Sequence, residues 1–551
     1  MTPRLVQCLV LLAIAAFVGL GSLWISIPGL HYDESLFVMV THPQADTPIE
    51  YTLQLGGRSV PVMIIRYLGA LKGWLYLPIL KLGSGSPALV RLPALALGAA
   101  GLCFLYLFCR RALGWQAAFI ALALAATDPI YLFTTRMDWG PVAIQRLCLL
   151  AGCWGVLRWW QEGRLRDLAF GFLVFGLGVF DKATFLWLLV ALILATALVF
   201  PRWFWRSLRP RTMATAFAGL ALGAAPFLLY HWKSAGQTFR HPAERAANYA
   251  EKLPGLLYTL EGTMLIGWIS REMDGQPLPA SGPLPRLAYR VAPRRPIVET
   301  LMLPAVVLSL LLLPLLRRWP AGRGILFACL FCLLAFAQMV PIRDAGQAHH
   351  LALLLPFPQI LVAAGVAGAG GLAQARLASR LWRGAAAALL WLAVATLMGA
   401  NLRSVAHHYF RLLGYGGGAG WSEAIYSLHR SLEDSRAQKI LLLDWGMGTQ
   451  LRLLSGGILP VVEADQPQGP VYDARHLEVF IRNPQAIYVE HHPGEPAAFP
   501  QIAEAFRKRV EEIGYRRELL EIIRDRRGRP IFEIFAVRPR TAINSPPGPP
   551  C

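Results

Sequence analysis

The sequence predicts a polytopic α-helical membrane protein with a small C-terminal extracytoplasmic α/β domain, and three observations support this fold class. Of the 551 residues, 55% are hydrophobic and only 16% are charged, whereas soluble domains carry about 25% charged residues. The apolar residues are concentrated in blocks of about 20, the length that crosses a bilayer as a helix. After residue 420 the pattern changes, and short apolar strands alternate with helices, as in a soluble α/β layer.

The N-terminal part of the chain contains about eleven apolar segments that we predict to span the membrane. The first segment is too long for a secretory signal peptide and lacks a small-x-small cleavage site. The fifth segment is shorter than a full span. The predicted spans are 5–28, 87–109, 115–134, 141–160, 167–180, 184–200, 212–232, 297–316, 324–341, 349–370 and 384–400.

Arginine and lysine residues are divided unequally between the two sets of short loops. One set holds fifteen of them, and the alternate set holds only three, which are Arg136, Lys182 and Arg343. Because positive residues accumulate in cytoplasmic loops, the first set and the N-terminus are predicted to be cytoplasmic. An odd number of spans then places the C-terminal domain on the extracytoplasmic side.

The chain carries a formal net charge of +20, which on its own would suit nucleic acid. The basic residues are, however, scattered between apolar segments, so membrane orientation and anionic lipid head groups explain them better. No nucleic-acid partner is predicted. The preference for Arg over Lys is typical of a bacterial genome of high G+C content, and the predicted location is therefore the bacterial inner membrane.

Three long segments lie on the predicted outer side. The first is 29–86, in which residues 62–82 mix apolar, aromatic and basic side chains and are predicted to form a helix at the membrane interface. The second is 233–296, which is rich in Pro and Arg and is predicted to be an ordered loop with a short apolar helix at 254–270. The third begins at residue 401.

The predicted domains are a transmembrane domain at 1–413, a flexible glycine hinge at 414–420, a soluble α/β domain at 421–540 and a disordered tail at 541–551. Gly446 and Gly448 follow a strand, but Leu451 stands where a dinucleotide-binding motif has its third glycine. The soluble domain is predicted to carry no catalytic residue and to shape the acceptor side. Its predicted elements are helices at 421–433, 447–455, 473–483 and 499–513, strands at 439–444 and 486–490, and a hairpin at 518–537.

Charged side chains recur where the predicted spans leave the membrane on the outer side. The clusters are Asp33 with Glu34, Arg136 with Asp138, Asp181 with Lys182, and Arg343 with Asp344, His349 and His350. Ionisable residues close to membrane spans are costly to bury and often mark functional sites. We predict that these four clusters line one cavity, and solvated loop ends are the alternative.

The acidic pair after the first span resembles that of the polyprenyl-phosphate-dependent glycosyltransferases with the GT-C fold, related to the protein O-mannosyltransferases and the lipid A aminoarabinose transferases. Arg136-Met137-Asp138 resembles the second outer loop of that family. Lys72-Gly73-Trp74-Leu75-Tyr76 resembles its Lys-Pro-Pro-Leu-Tyr stretch without the prolines, and Gly178-x-x-Asp181-Lys182 resembles its Gly-rich turn. In architecture the resemblance covers residues 1 to about 400.

The resemblance implies an inverting transfer of a hexosyl or pentosyl group from a polyprenyl-phosphate donor to an acceptor hydroxyl on the extracytoplasmic face. An alcohol needs a base as its new bond forms, and the resemblance assigns this role to Asp33. From their positions in the sequence, Glu34 is expected to support Asp33, and Asp138 is expected to orient the acceptor. The acceptor is left open between protein, lipid A and another envelope glycan. The candidates for binding the donor phosphate are Arg136, Lys72, Lys182, Arg343 and His350.

No cofactor is predicted. Some relatives use zinc or manganese, and His349 and His350 with nearby acids could ligate a metal. However, Leu71 stands before Lys72, where an acidic ligand would be expected, and no metal is predicted. Two other classes stay open: a flippase for lipid-linked sugars, which would carry charges near the bilayer midplane, and a non-catalytic envelope assembly protein that acts through its soluble domain.

Overall fold

The computed structural model describes residues 3–540 apart from 43–48, 82, 84, 241–249, 251, 293–299 and 465–473. The predicted tail at 541–551 lies outside the described residues. The first part of the chain forms helices and one small sheet. These elements are α1 (Pro3–Ser22), α2 (Tyr32–Met39), β1 (Tyr51–Leu55), β2 (Arg58–Ile65), β3 (Leu68–Gly69), α3 (Leu71–Leu80), α4 (Pro87–Leu113), α5 (Trp115–Thr127), α6 (Pro129–Met137), α7 (Val142–Glu162), α8 (Leu165–Asp181), α9 (Phe185–Val199), α10 (Pro201–Ser207), α11 (Pro210–Gly223) and α12 (Ala225–Lys233).

The rest of the helical bundle follows a segment with three short helices. Its last helix, α21, is the longest and leads directly to the C-terminal domain. The elements are α13 (Gln237–Arg240), α14 (Lys252–Glu261), α15 (Pro283–Val291), α16 (Met302–Leu311), α17 (Leu313–Leu316), α18 (Pro320–Met339), α19 (Ala348–Leu351), α20 (Phe357–Arg376) and α21 (Arg380–Tyr415).

In the described ranges, six helices are long and apolar enough to cross a membrane, and up to nine spans result if each strongly bent helix pair counts as one. The bent pairs are α5–α6, α9–α10 and α11–α12. Each second helix has proline in its first turn, where a missing N–H is tolerated and a new helix axis can begin. The predicted polytopic helical class is confirmed, whereas the number of eleven spans is not.

Residues 62–82 do not form the predicted interfacial helix. Strands β1, β2 and β3 form an antiparallel sheet, and the helix begins only at Leu71. The stretch from Val60 to Ile65 is rich in β-branched residues, which favour strands. Lys72 lies in the first turn of this helix and is buried with 1% of its surface exposed, so it is not a membrane-surface anchor.

The helix predicted at 254–270 is also shorter than expected, because α14 ends at Glu261. The next residue, Gly262, has φ +76°, a conformation that commonly ends helices. Helices α7, α8 and α11 pack through glycines: a Cβ at Gly223 would come within 2.0 Å of the carbonyl oxygen of Leu173. Small residues of this kind let membrane helices approach closely, and they fix the end of α8.

The C-terminal part is an α/β domain, and each helix and strand predicted there is present. Its five-stranded sheet has the order β5-β4-β6-β8-β7, in which β5, β4 and β6 are parallel and β8 and β7 are antiparallel. The sequence pattern missed β5, which has only three residues. The elements are α22 (Ala424–Asp434), β4 (Lys439–Leu442), α23 (Gly448–Leu454), β5 (Val461–Glu463), α24 (Ala474–Ile481), β6 (Ala486–His491), α25 (Pro500–Glu512), β7 (Tyr515–Arg524) and β8 (Pro530–Pro539).

The glycine segment 414–420 is not the flexible hinge that the sequence predicts. The backbone N–H of Gly418 donates to the carbonyl of Ile269 at 3.1 Å, and Gly417 forms a β-bridge with Ser270. A Cβ at Gly417 would lie 2.0 Å from the carbonyl oxygen of Trp421. The glycines therefore serve close backbone approach, and they dock the C-terminal domain onto the bundle.

Candidate functional site

The structure brings four of the predicted site residues together at one end of the bundle. Asp33 lies in the first turn of α2 and Lys72 in the first turn of α3. Asp138 lies between α6 and α7, and Lys182 lies between α8 and α9. The charges of Lys72 and Lys182 both act on Asp33, and the charge of Asp138 acts on Lys182.

Asp33 presents a carboxylate that makes no hydrogen bond or ion pair with the residues the structure describes. Its backbone is fixed by a capping box: the His31 ring accepts from the N–H of Asp33 at 3.2 Å, and Glu34 accepts from the N–H of His31 at 3.1 Å. Burial raises the pKa of Asp33 to about 6, against the opposing charges of Lys182 and Lys72. Asp33 is thus ionised at neutral pH and able to accept a proton.

Glu34 points away from Asp33 and is fully buried against Arg91. The two groups form a forked pair with distances of 2.6 Å from Nε to Oε1 and 3.0 Å from Nη2 to Oε2. The same guanidinium donates to the carbonyls of Ile25, Pro28 and Gly29. Glu34 therefore holds the segment between α1 and α2, and through it the position of Asp33.

Lys72 and Asp138 form a buried ion pair, with 2.8 Å between Nζ and Oδ2. The ammonium also donates to the carbonyl of Asp138 at 3.0 Å, and it lies near the rings of Phe37 and Tyr76. Asp138 has φ 39° and accepts from the N–H of Ala143 at 2.9 Å. The pair therefore neutralises both charges and fixes the turn between α6 and α7.

Lys182 is the buried cation of the cluster that no carboxylate contacts directly. Within the described ranges its ammonium makes no hydrogen bond or ion pair, although only 5% of the residue is exposed. Burial lowers the pKa of Lys182 to about 8, opposed by the charges of Asp33, Asp181 and Asp138. Its backbone is anchored to the small sheet, where the N–H of Ala183 donates to Tyr67 at 2.8 Å. This arrangement can bind an anion.

Arg136 does not join the cluster, and the expectation that it lies beside Asp138 to hold a phosphate needs correction. Its guanidinium donates to the Tyr409 hydroxyl at 2.7 Å and to the carbonyls of Leu23, Trp24 and Ile27. Arg136 lies within α6, whereas Asp138 follows the helix in a left-handed conformation, so the two side chains reach different partners. Arg136 ties α6 to the end of α1 and to α21.

The last two predicted phosphate ligands are placed differently. Arg343 is exposed, unlike the buried cations Lys72 and Lys182. His350 is buried and packs against His349, with 4.0 Å between ring centroids, and against Trp187 at 5.7 Å. The charge of Lys182 acts on His350, which puts this ring at the edge of the site.

Two further polar residues belong to the site. Asp181 and Gln145 are buried at the same end of the bundle, and the side chain of Gln145 acts on the Asp181 carboxylate as a hydrogen-bond partner. The sequence named Asp181 only as a member of its cluster, without a role, and did not single out Gln145. The charges of Asp138, Lys72 and Lys182 act on Asp181. The sequence signal for Asp181 was its position next to Lys182 at the end of a span, where only Lys182 was given a predicted role.

The C-terminal domain packs aromatic rings against His31 and Tyr32, the two residues that precede Asp33. Trp421 stacks on His31 with 4.4 Å between centroids, and Trp445 lies against Tyr32 at 4.6 Å. Trp421 also meets Trp139 edge-on at 5.3 Å. We call Trp421, Trp445 and Trp139 the tryptophan wall.

Hydrogen bonds hold the domain in this position. The hydroxyl of Thr449 donates to the carbonyl of Tyr32 at 2.8 Å, and the hydroxyl of Tyr32 donates to Glu463 at 3.3 Å. Glu463 ends β5 and also pairs with Arg452. The carboxyl ends of parallel strands are where α/β sheets usually present ligand-binding groups, and here β5 and β4 end towards α2.

The histidine pair His349 and His350, which could ligate a metal, lies at the edge of the site. In the ranges that the structure describes, no three His, Cys, Asp or Glu side chains are grouped so that they could hold a metal ion. His349 and His350 adjoin each other. Of the acids in the cluster, Asp138 is already paired with Lys72. The absence of a metal cofactor stays a prediction.

Comparisons with known proteins give a match to a family model over part of the chain and a fold over nearly all of it. Residues 70–230 match the family model of the dolichyl-phosphate-mannose-protein mannosyltransferases, and no curated protein sequence matches the chain. The structure of ArnT from Cupriavidus metallidurans, bound to undecaprenyl phosphate, is similar with a TM-score of 0.57 and 14% identity, over 97% of this chain and 98% of that chain.

Two further solved structures are similar at lower TM-scores. The Archaeoglobus fulgidus oligosaccharyltransferase in its apo form has a TM-score of 0.48 and 12% identity, over 89% of this chain and 70% of that chain. The mycobacterial arabinofuranosyltransferase AftD has a TM-score of 0.44 and 14% identity, over 97% of this chain and 42% of that chain. Of these three solved structures, ArnT establishes the fold, because its similarity extends over 97% of this chain.

Proposed function

Because this chain is a membrane protein with the GT-C glycosyltransferase fold, we propose that it transfers a sugar from a polyprenyl-phosphate donor to an acceptor hydroxyl, with inversion. The observation that carries the proposal is the juxtaposition at the bundle end of an unpartnered carboxylate, Asp33, with an unneutralised buried cation, Lys182. Transfer of a sugar from a phosphate ester needs both groups: a carboxylate to take the proton of the attacking hydroxyl, and a cation to stabilise the leaving phosphate.

Asp33 acts as the general base. The acceptor oxygen attacks the anomeric carbon from the face opposite the phosphate, and its proton passes to the Asp33 carboxylate as the carbon–oxygen bond forms. A base is most efficient when its pKa lies close to the working pH, and the pKa of Asp33 of about 6 meets this condition. Glu34, which is held by Arg91, positions the base and takes no proton.

Lys182 binds the donor phosphate and stabilises the charge that the polyprenyl phosphate gains as the sugar leaves. Lys72 contributes less, because Asp138 already neutralises it at 2.8 Å. A cation in a water-poor site stabilises developing negative charge more strongly than one in solution. The predicted roles of Arg136 and Arg343 in phosphate binding are not part of this proposal.

The tryptophan wall positions the acceptor. Its rings lie directly beside the helix turn that carries Asp33, and flat apolar rings offer contact area at low conformational cost. The acceptor is a hydroxyl of an envelope glycan, lipid or protein. The unequal distribution of Arg and Lys in the loops supports a bacterial inner membrane location with this site on the extracytoplasmic side.

The proposal is tested with the purified full-length protein and a polyprenyl-phosphate sugar. We expect release of polyprenyl phosphate, by hydrolysis or by transfer to an added glycan acceptor, measured by chromatography of the lipid product. A flippase would move the intact donor across a liposome membrane and release no polyprenyl phosphate. That result, or an inert protein that binds only envelope components, would reject the proposal.

The rate should depend on pH as a bell-shaped curve. Asp33 works when ionised, so kcat/KM should rise as the pH increases through about 6. Lys182 works when protonated, so kcat/KM should fall as the pH increases through about 8. Lys182→Arg should leave the acidic limb in place and remove the alkaline one, because arginine stays protonated. An alkaline limb that is unchanged in this variant would assign that limb to another group.

Trp445→Ala should raise the KM for the acceptor by roughly fivefold, since an aromatic contact contributes about 1 kcal/mol. Donor hydrolysis should stay near normal, because the ring does not contact Lys182. Trp445→Phe keeps a ring and should recover most of the affinity. The matched control is Trp205→Ala, at an exposed tryptophan on α10. Equal losses of donor hydrolysis and of acceptor affinity in Trp445→Ala would contradict a role for this ring in acceptor binding.

A further inference from the structure

A cavity lies at the opposite end of the helical bundle from the cluster around Asp33. It has a volume of about 360 Å³ and is bordered by α4, α7, α9, α10 and α18. Helix α7 links the two ends, because it begins beside Asp138 and its last turn reaches the cavity. Its 21 residues correspond to about 30 Å at 1.5 Å per residue, which is the thickness of a bilayer core.

The cavity has an apolar interior and a basic, aromatic rim. Trp160 and Trp203 lie at the rim with 4.6 Å between their ring centroids. Three arginines, Arg111, Arg318 and Arg323, also line it. We call this the arginine-rimmed cavity. Its apolar lining includes Phe108, Leu157, Leu192, Phe200, Phe327 and Ile360.

The rim carries positive charge that the protein does not neutralise. Arg111 pairs with Glu162 at 2.8 Å and donates to Gln161 at 3.0 Å. Arg318 and Arg323 are exposed, and their guanidinium groups make no ion pair or hydrogen bond with any residue in the described ranges. Glu162 also pairs with two further arginines outside the cavity, so it cannot offset the charge of the rim.

We propose that the arginine-rimmed cavity binds one anionic phospholipid of the membrane leaflet opposite the catalytic site. The phosphate of the head group would be held by the forked guanidinium groups of Arg318 and Arg323, which match phosphate oxygens in geometry. The upper acyl chains would occupy the apolar interior. Basic pockets between membrane helices on the cytoplasmic side are suited to anionic head groups, and paired tryptophans are typical of the depth at which head groups begin.

The sugar donor does not fit this position. A polyprenyl phosphate held here would lie about the thickness of a bilayer core from Asp33, with the bundle between its sugar and the base. The lipid therefore serves to seat the cytoplasmic ends of α4, α7 and α18. This inference is independent of the reaction proposed for the site.

The test compares the wild-type protein with Arg318→Gln/Arg323→Gln. Both are purified, stripped of lipid with detergent, and mixed with equal amounts of phosphatidylglycerol and phosphatidylcholine, and native mass spectrometry measures the lipid that stays bound. We expect the wild-type protein to retain one phosphatidylglycerol in preference to phosphatidylcholine. The double variant should bind phosphatidylglycerol about tenfold more weakly, equivalent to 1.4 kcal/mol.

The matched control is Arg317→Gln/Arg380→Gln. It removes the same charge from two exposed arginines on the predicted cytoplasmic side that do not line the cavity, and it should bind like the wild-type protein. An equal loss in the control would reject the cavity as the site. Displacement of phosphatidylglycerol by a lower concentration of undecaprenyl phosphate would overturn the proposal, because a polyprenyl phosphate would then be the preferred occupant.

Discussion

Asp33→Asn is expected to lower the rate of sugar transfer by about 100-fold or more, with the fold and the donor affinity retained. Asparagine has the size of aspartate but cannot take the proton of the acceptor hydroxyl. The native carboxylate has no hydrogen-bond or ion-pair partner within the described ranges, so its replacement breaks no contact that holds the structure. Removing a half-buried charge also removes a desolvation cost, and stability should not fall.

The measurement is single-turnover transfer from a polyprenyl-phosphate sugar, with donor binding measured separately. The matched control is Asp344→Asn, which removes an exposed acid that acts electrostatically on Tyr67, as Asp33 also does. This control should retain nearly full activity. Near-normal turnover in Asp33→Asn would end the base assignment, and a loss of donor binding with normal chemistry would make Asp33 a binding residue.

Glu34→Gln, unlike Asp33→Asn, is expected to act mainly on stability and to lower the free energy of unfolding by about 3 kcal/mol. The substitution leaves the buried guanidinium of Arg91 without its counter-charge, although the carbonyls of Ile25, Pro28 and Gly29 still accept from it. Any loss of activity should follow from a displaced Asp33. The acidic limb of the pH profile of kcat/KM, which is set by the pKa of Asp33, would then move to a different pH.

The measurement is the apparent melting temperature in one detergent, with Asp33→Asn as the matched neighbour. Glu34→Gln should melt at a clearly lower temperature than Asp33→Asn. The double variant Glu34→Leu/Arg91→Met should regain part of the loss, since removing both charges leaves neither unpaired. If Asp33→Asn were the less stable of the two single variants, the structural role would belong to Asp33.

The sequence predicted that the outer ends of several spans supply one cluster, and the structure places Asp33, Asp138 and Lys182 together. Lys72, which was predicted on an interfacial helix, joins them through its ion pair with Asp138. This part was accessible because helices that cross the same bilayer have their ends in one layer. The grouping did not require knowledge of which helices are neighbours. The catalytic and binding roles of these residues stay predictions.

The sequence did not distinguish the cations from one another. Arg136 and Lys182 both stand at span ends. The guanidinium of Arg136 donates to backbone carbonyls, whereas the ammonium of Lys182 is buried and has no hydrogen-bond or ion-pair partner in the described ranges. The acceptors of Arg136 at Leu23 and Trp24 are 113 and 112 residues away in the chain. No local pattern reports such a contact, since it depends on how α1 packs against α6.

The same limit explains the two errors of architecture. Residues 62–82 have the composition of an interfacial helix, but they pair as strands because a strand partner exists at Tyr51–Leu55. The glycines at 414–420 have the composition of a linker, but the backbone of Ser270 and Ile269 approaches them. In both segments a distant partner decided the conformation.

The sequence by itself determined the membrane class, the positions of the apolar helices and the secondary structure of the C-terminal domain. These follow from hydrophobicity and its period along the chain, which are local quantities. Only the tertiary structure decided which charges are neutralised, that the C-terminal domain brings Trp421 and Trp445 to Asp33, and that α4, α7 and α18 enclose a basic cavity. Charge pairing and cavities depend on contacts between residues far apart in the chain, and folding alone brings them together.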